Sequence, residues 1–212
     1  MPETAPSPTA ANTPDPEAVN RFFSDIAHSY DLANRVMSSG VDVMWRAYLA
    51  RRAAVGQPET LLDLATGSGD VAFALARRVK SLREVMAMDF CEPMLEIARR
   101  KQDKRPPRVS MDFRHGDCLE LPVEDESFDC VTIAFGLRNL ADRGRGLAEM
   151  RRVLKPGGKL LVLEFTQPDR WIRRLYYFYL KRVIPTLSGR ITGHRDAYVY
   201  LSSGAAYETD PE

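Results

Sequence analysis

The chain has 212 residues, with 30 basic and 29 acidic side chains and a formal net charge of +1. That length fits one α/β domain with an N-terminal extension, and the charge balance gives bulk electrostatics no case for nucleic-acid binding. No apolar run reaches the roughly 20 residues of a membrane span, and no basic-then-apolar leader opens the chain. Cys91, Cys118 and Cys130 sit in unrelated contexts without paired spacing, which argues for a reduced, cytoplasmic chain. His28, His115 and His194 are scattered, so no metal-ligand spacing is formed and no metal is expected.

Residues 1–16 are mostly Pro, Ala, Thr, Glu and Ser, hold no apolar period, and read as a disordered tail. Asp15-Pro16-Glu17 is a helix start, an acid at the N-cap followed by proline. Val19, Phe22, Phe23 and Ile26 then follow at helical spacing. A short helix around Tyr30 to Asn34 and another over 42–54 complete a helical cap, 17–57. From Thr60 the pattern alternates. Strands are expected at 60–65, 84–89, 108–114, 128–134 and 159–166, and helices at 69–80, 92–102, 141–154 and 170–183. The strands are near-continuous apolar runs, as parallel strands covered on both faces require. The fold class is therefore α/β, a doubly wound, Rossmann-like sheet over 58–168, followed by a helical segment, 169–212.

The first strand runs into Asp63-Leu64-Ala65-Thr66-Gly67-Ser68-Gly69-Asp70. Glycine lets a backbone turn through positive φ and approach a ligand closely, and a following helix N-terminus presents free N–H groups. Asp89 closes the next strand, where an acid accepts ribose hydroxyls in nucleotide folds. The third glycine of the dinucleotide fingerprint is missing, because Asp70 and Val71 follow Gly69. That moves the reading from a nicotinamide dinucleotide to S-adenosylmethionine. Phe90, next to Asp89, is placed to lie against an adenine face. The competing reading makes Asp89 an N-cap ahead of Pro93. After the third strand, Asp117 is placed to take the adenine amino group, or is an ordinary surface turn. After the fourth come Ala134-Phe135-Gly136-Leu137-Arg138-Asn139, where Gly136 allows close approach and Arg138 can stabilise an anionic oxygen. The plainer reading pairs Arg138 with a nearby acid such as Asp142. Lys155-Pro156-Gly157-Gly158 reads as turn punctuation before the fifth strand, and Glu164 at that strand's end as polar lining. The stretch 171–187 mixes Trp171, Tyr176, Tyr177, Phe178 and Tyr179 with Arg173, Arg174, Lys181 and Arg182, and Arg170 precedes it. It is either a helix at a membrane interface or a core-covering helix with snorkelling basic ends.

With these stretches placed, the chain resembles the ubiquinone/menaquinone biosynthesis C-methyltransferase family, within the class I S-adenosylmethionine methyltransferases. The matching residues are Ala27-His28-Ser29-Tyr30-Asp31 with Asn34, Ser39-Gly40, Trp45-Arg46, the glycine turn, Asp89 with Met94-Leu95, and Leu121-Pro122. They continue through Phe135-Gly136-Leu137-Arg138-Asn139, Arg152-Val153-Leu154-Lys155-Pro156-Gly157-Gly158 and Leu163-Glu164-Phe165. Leu175-Tyr176-Tyr177-Phe178-Tyr179 is more similar to the menaquinone branch. The resemblance implies a cofactor site at Asp63, Ala65, Gly67, Ser68, Gly69, Asp89, Phe90, Met94, Asp117, Cys118 and Ala134, with Cys118 acting through its backbone N–H. It implies catalytic, substrate-side roles for Arg138, Asn139 and Tyr30, and a polyprenyl naphthoquinol or benzoquinol as methyl acceptor, worked on by a cytoplasmic protein peripheral to the membrane's inner face. Family members continue past Tyr200-Leu201-Ser202-Ser203 into a helix and an antiparallel strand pair. Without that pair the fifth strand is an apolar sheet edge, to be covered by residues 171–200 or by a second copy in a homo-oligomer, or left prone to aggregation.

Overall fold

The computed structural model describes Glu17, residues 19–21, Ser24 and residues 41–164. Glu17, Val19, Asn20, Arg21 and Ser24 are helical, as the Asp15-Pro16-Glu17 start predicts. Beyond them the order is α1 (Val41–Ala54), β1 (Thr60–Leu64), α2 (Asp70–Arg78), β2 (Glu84–Asp89), α3 (Glu92–Lys104), β3 (Ser110–His115), β4 (Phe128–Ala134), α4 (Arg143–Arg152) and β5 (Leu154–Leu163). A single 3-10 turn, Leu137–Asn139, sits between β4 and α4.

The five strands form one parallel sheet in the order β3-β2-β1-β4-β5. Period-2 alternation divides its side chains between two cores. Leu61, Val85, Met111, Phe113 and Cys130 face α1, α2 and α3, where they meet Ala50, Ala53, Leu75, Val79, Leu95 and Ala98. Leu62, Leu64, Met86, Met88, Val131 and Ile133 face the other way, against Met150 and Val153 at α4 and against Cys118 and Leu121. Leu61, Leu62 and Leu64 are fully buried, each worth about 2–3 kcal/mol of transfer free energy. The continuous apolar strands thus reflect burial on both faces, as expected of a doubly wound sheet.

Two boundaries differ from the sequence expectation. The α4 helix begins at Arg143 because Asp142 caps it, its carboxylate accepting the Arg145 N–H at 2.9 Å. The β5 strand begins at Leu154 rather than 159, and the expected turn becomes a bulge within it. Phe128 pairs with Leu154 and Cys130 with Lys159, so Lys155 to Gly158 loop out between the two pairings, with Gly157 at φ 79°. Asp129 holds this irregular corner. Its Oδ2 accepts the N–H groups of Glu59 and Thr60 at 2.9 Å each, and its Oδ1 accepts the Lys155 ammonium at 2.9 Å. As the order implies, β5 is an edge of the sheet among the described residues, with Val162 42% exposed. The segment 171–200 proposed to cover it lies outside those residues.

Candidate functional site

The sheet order reverses between β1 and β4, and parallel strands all end at one edge. The crevice at the carboxyl ends of strands flanking such a switch point is where α/β sheets bind ligands. All five strand ends bring sequence-selected residues here: Ala65 to Gly69 after β1, Asp89 to Cys91 after β2, Gly116 to Cys118 after β3, Phe135 to Asn139 after β4 and Glu164 after β5.

The backbone is forced into the left-handed region on both sides of the switch. Ala65 has φ 50° and Phe135 φ 58°, rare values for residues with a Cβ. Gly136 is buried between them, and a Cβ there would stand 2.4 Å from the Ala65 Cβ. The Phe135 ring packs on Trp45 of α1 with centroids 5.8 Å apart, which fixes α1 against the β4 end. In the glycine turn, Gly67 and Gly69 have φ 57° and 82°. A Cβ on Gly69 would meet the Phe73 and Phe113 rings at 2.9 and 3.0 Å.

Asp89 reaches across to that turn. One carboxylate oxygen accepts the Gly67 N–H at 2.7 Å and the other the Cys91 N–H at 2.8 Å. A carboxylate has about four acceptor positions, so Asp89 keeps acceptor capacity for a ligand hydroxyl. Burial pushes the Asp89 carboxyl up, against the pull of the Cys91, Gly67 and Phe90 N–H groups. The N-cap of α3 is Cys91, not Asp89, which removes the plainer reading of that acid. Phe90 is 41% exposed and stacks on His115 at 5.4 Å. His115 Nε2 is 3.1 Å from the Phe90 carbonyl. The histidine carries no motif signal, yet it holds the ring that the sequence places beside adenine. Met94 is buried, its Cε 3.2 Å from where a Gly67 Cβ would be. It supports the turn from below.

Asp63 lies under the turn, 1% exposed. Its oxygens accept the Thr66 hydroxyl at 2.6 Å and the Thr132 hydroxyl at 2.5 Å. Register places Thr132 directly opposite it. Burial pushes the Asp63 carboxyl up to about 6, opposed by those two hydroxyls and seconded by the nearby Asp89 charge. Ser68 is also turned inward. It is 3% exposed, and Lys101 of α3 donates to its Oγ at 2.9 Å and its carbonyl at 3.1 Å. Both residues were expected to contact the cofactor. Their side chains instead tie the turn to β4 and α3, because a turn bent through two left-handed glycines needs its polar groups anchored from behind. Lys101 also binds Asp70 at 2.7 Å, and Arg46 binds the other Asp70 oxygen at 2.6 Å. Burial alone would raise the Asp70 carboxyl, but the two cations bring it below its usual value.

Asp117 is exposed, with one oxygen on the Leu119 N–H at 2.8 Å and its acidic group at the β3 exit. The Cys118 thiol is buried, and burial pushes it up to about 12. All three cysteines are buried and free. Ala134 ends β4 beside Leu163. Arg138 pairs with Glu164, not Asp142: its Nη1 binds Glu164 Oε1, and its backbone N–H is 3.4 Å from Oε2. The side chains are 13% and 15% exposed. Asn139 follows in the 3-10 turn, its N–H bonded to the Gly136 carbonyl at 3.0 Å. Tyr30 lies outside the described residues. The sequence did not single out Thr66, Thr132, Lys101, Arg46 or His115 for these contacts. Thr66 carried a local signal as a polar residue inside the glycine turn, and Arg46 one as part of the Trp45-Arg46 motif.

A two-glycine turn facing an acid at the end of the neighbouring strand, at the switch point of a parallel sheet, defines a class I S-adenosylmethionine-dependent methyltransferase. A candidate S-adenosyl-L-methionine-dependent methyltransferase of Methanococcus maripaludis shares the fold, with TM-score 0.61 at 17% identity over 100% of this chain and 90% of that one. The model of the ubiE/COQ5 methyltransferase family matches residues 11–212, and the chain belongs to that family. It is 43% identical to the demethylmenaquinone methyltransferase of Deinococcus radiodurans over 92% of this chain and 80% of the relative. It is 47% identical to that of Thermus thermophilus over 90% and 86%. Among the described residues no three His, Cys, Asp or Glu side chains group to hold a metal. No described helix is long and apolar enough to cross a membrane.

Proposed function

We propose that the chain methylates a ring carbon of a reduced polyprenyl naphthoquinol, a demethylmenaquinol, in quinone biosynthesis. S-adenosylmethionine supplies the methyl group on a sulfonium, an intrinsically good leaving centre, so the protein's task is alignment and water exclusion. The observation that carries the reading is the pairing, in one crevice, of a cofactor half at Asp89 and the glycine turn with an acceptor half at Arg138 and Glu164. The names of the Deinococcus and Thermus relatives supply the naphthoquinol. Asp89 accepts the ribose hydroxyls, Phe90 lies against adenine, and Asp117 with the Cys118 N–H takes the adenine edge. Arg138 stabilises the phenolate that makes the ring carbon nucleophilic, while Asn139 and Tyr30 orient the ring. Glu164 fixes the guanidinium and draws off part of its charge, leaving a donor face for the phenolate. The segment over 169–212 supplies the substrate side. Because a polyprenyl acceptor dissolves in a bilayer, the protein works as a peripheral membrane enzyme.

The test is transfer of labelled methyl from S-adenosylmethionine to a short-chain demethylmenaquinol, beside calorimetric titration with S-adenosylhomocysteine. Labelled menaquinol together with micromolar binding is the expected result. Binding without transfer to any quinol would reduce the chain to a cofactor-binding module. Transfer to a different phenolic acceptor would keep the enzyme class and replace the substrate.

A further inference from the structure

A groove of about 800 Å3 runs beside α2 from the Arg46–Asp70 pair to the loop after α3, outside the crevice. Eight of its 15 lining residues are Lys or Arg and one is acidic. The chain as a whole carries 30 basic and 29 acidic residues, so this is a local segregation of charge. Three of the eight are engaged in the fold: Arg46 and Lys101 on Asp70, and Arg108 on the Val79 and Lys80 carbonyls at the end of α2. The other five, Arg77, Arg78, Lys80, Lys104 and Arg105, are exposed, and among the described residues none has a carboxylate partner. Beside them α1 shows apolar surface. Val43, which lines the groove, is 45% exposed, Met44 68% and Tyr48 61%. Met44 and Tyr48 are one turn apart and share a face.

We infer that this α1–α2–α3 face is a docking surface for an anionic phospholipid bilayer. Basic side chains gather at phosphodiester headgroups, and apolar and aromatic side chains beside them enter the interface. A nucleic acid would satisfy the five cations but leave Val43 and Met44 in water, whereas a bilayer uses both. The choice of a bilayer rests on the quinol reading to the extent that a polyprenyl acceptor lies there. The charge and exposure do not depend on it.

The experiment is flotation of the full chain with phosphatidylcholine vesicles, with and without phosphatidylglycerol, across a salt series. Binding that requires phosphatidylglycerol and weakens with salt is expected. Each basic residue near such a surface is worth roughly fivefold in partition, so Arg77→Gln/Lys104→Gln/Arg105→Gln is expected to lose about a hundredfold. A second variant, Met44→Ser/Tyr48→Ser, is expected to lose the part of the binding that survives high salt. Both are expected to keep their circular dichroism and their S-adenosylhomocysteine affinity. Equal binding to neutral vesicles, unchanged binding by the triple variant, or preference for an oligonucleotide over both vesicles would each overturn the inference. Turnover of a short-tailed quinol in free solution separates the two readings. Turnover without vesicle binding removes the docking surface and keeps the enzyme, while vesicle binding without turnover does the reverse.

Discussion

At the scale of single residues, the cofactor half of the crevice depends on Asp89. Its two oxygens already hold the turn through Gly67 and the start of α3 through Cys91, so a bound ribose would meet acceptors fixed in advance. Asp89→Asn turns one acceptor into a donor pointing at an N–H or a hydroxyl. Hydrogen bonds to a charged group contribute about 1.5–3 kcal/mol, so S-adenosylhomocysteine affinity is expected to fall by roughly 10- to 150-fold. Unchanged affinity by calorimetry would remove the ribose assignment. The acceptor half predicts the opposite pattern. Arg138→Lys keeps the charge but loses the planar fork that Glu164 orients, and Glu164→Gln keeps the shape but loses the charge. Both are expected to lower kcat at least tenfold while leaving cofactor affinity within about threefold. A parallel loss of affinity would show that the pair only supports the fold. Asp89 was legible because strand, turn and acid follow one another locally. The Arg138 partner was not, because Glu164 lies 26 residues on and meets it only through the β4–β5 register.

At the scale of elements, the crevice is shaped by where strands stop. Gly136 has an ordinary φ of −110°, so its requirement is purely one of space: a Cβ would sit 2.4 Å from the Ala65 Cβ. Gly136→Ala must push β1 and β4 apart at the switch point. Overpacking of this kind costs about 1–3 kcal/mol, and the displaced Ala65 leads into the glycine turn. Urea unfolding is expected to show that loss, and S-adenosylhomocysteine binding is expected to weaken with it. Wild-type stability and affinity in the variant would mean the two strand ends are not in contact. Strand and helix positions were readable from apolar period because both faces of the sheet are buried. The early start of β5 was not, because Lys155-Pro156-Gly157-Gly158 has the composition of a turn and does turn, as a bulge that the strand absorbs. Likewise Trp45 and Arg46 belong to a recognisable motif, but their work, stacking on Phe135 and binding Asp70, exists only once α1 packs beside α2.

At the scale of the molecule, three carboxylates, of which Asp63 alone is fully buried, give folding stability opposite dependences on pH. Asp129, held by Lys155 and by the Thr60 and Glu59 N–H groups against the cost of burial, titrates at about 2 in the folded chain, below its ordinary value of 3.8. The Arg152 guanidinium brings Glu149 down to about 2 in the same way, from 4.5. The unfolded chain therefore binds more protons than the folded one between pH 2 and about 4. The stabilisation from these groups is complete above that window and is lost as pH falls through 2. Asp63 has the reverse sign. Burial lifts it from 3.8 to about 6, so its contribution is complete below 3.8 and is lost as pH rises through 6, about 3 kcal/mol for the shift. Unfolding free energies in urea are expected to climb from pH 2 to about 4 and then decline to about 6. Asp63→Asn cannot ionise, so it is expected to keep the climb and show a shallower decline, the rest belonging to Asp89, whose carboxyl burial also raises. A variant that declines as steeply as the native chain between pH 4 and 6 would place that titration elsewhere. The cost of ionising Asp63 falls at the one point where β1, β4 and the glycine turn meet. At neutral pH its charge is held there by Thr66 and Thr132, and Asp63→Asn, which leaves an amide nitrogen facing one of those hydroxyls, trades the taut turn of the native chain for a more stable fold.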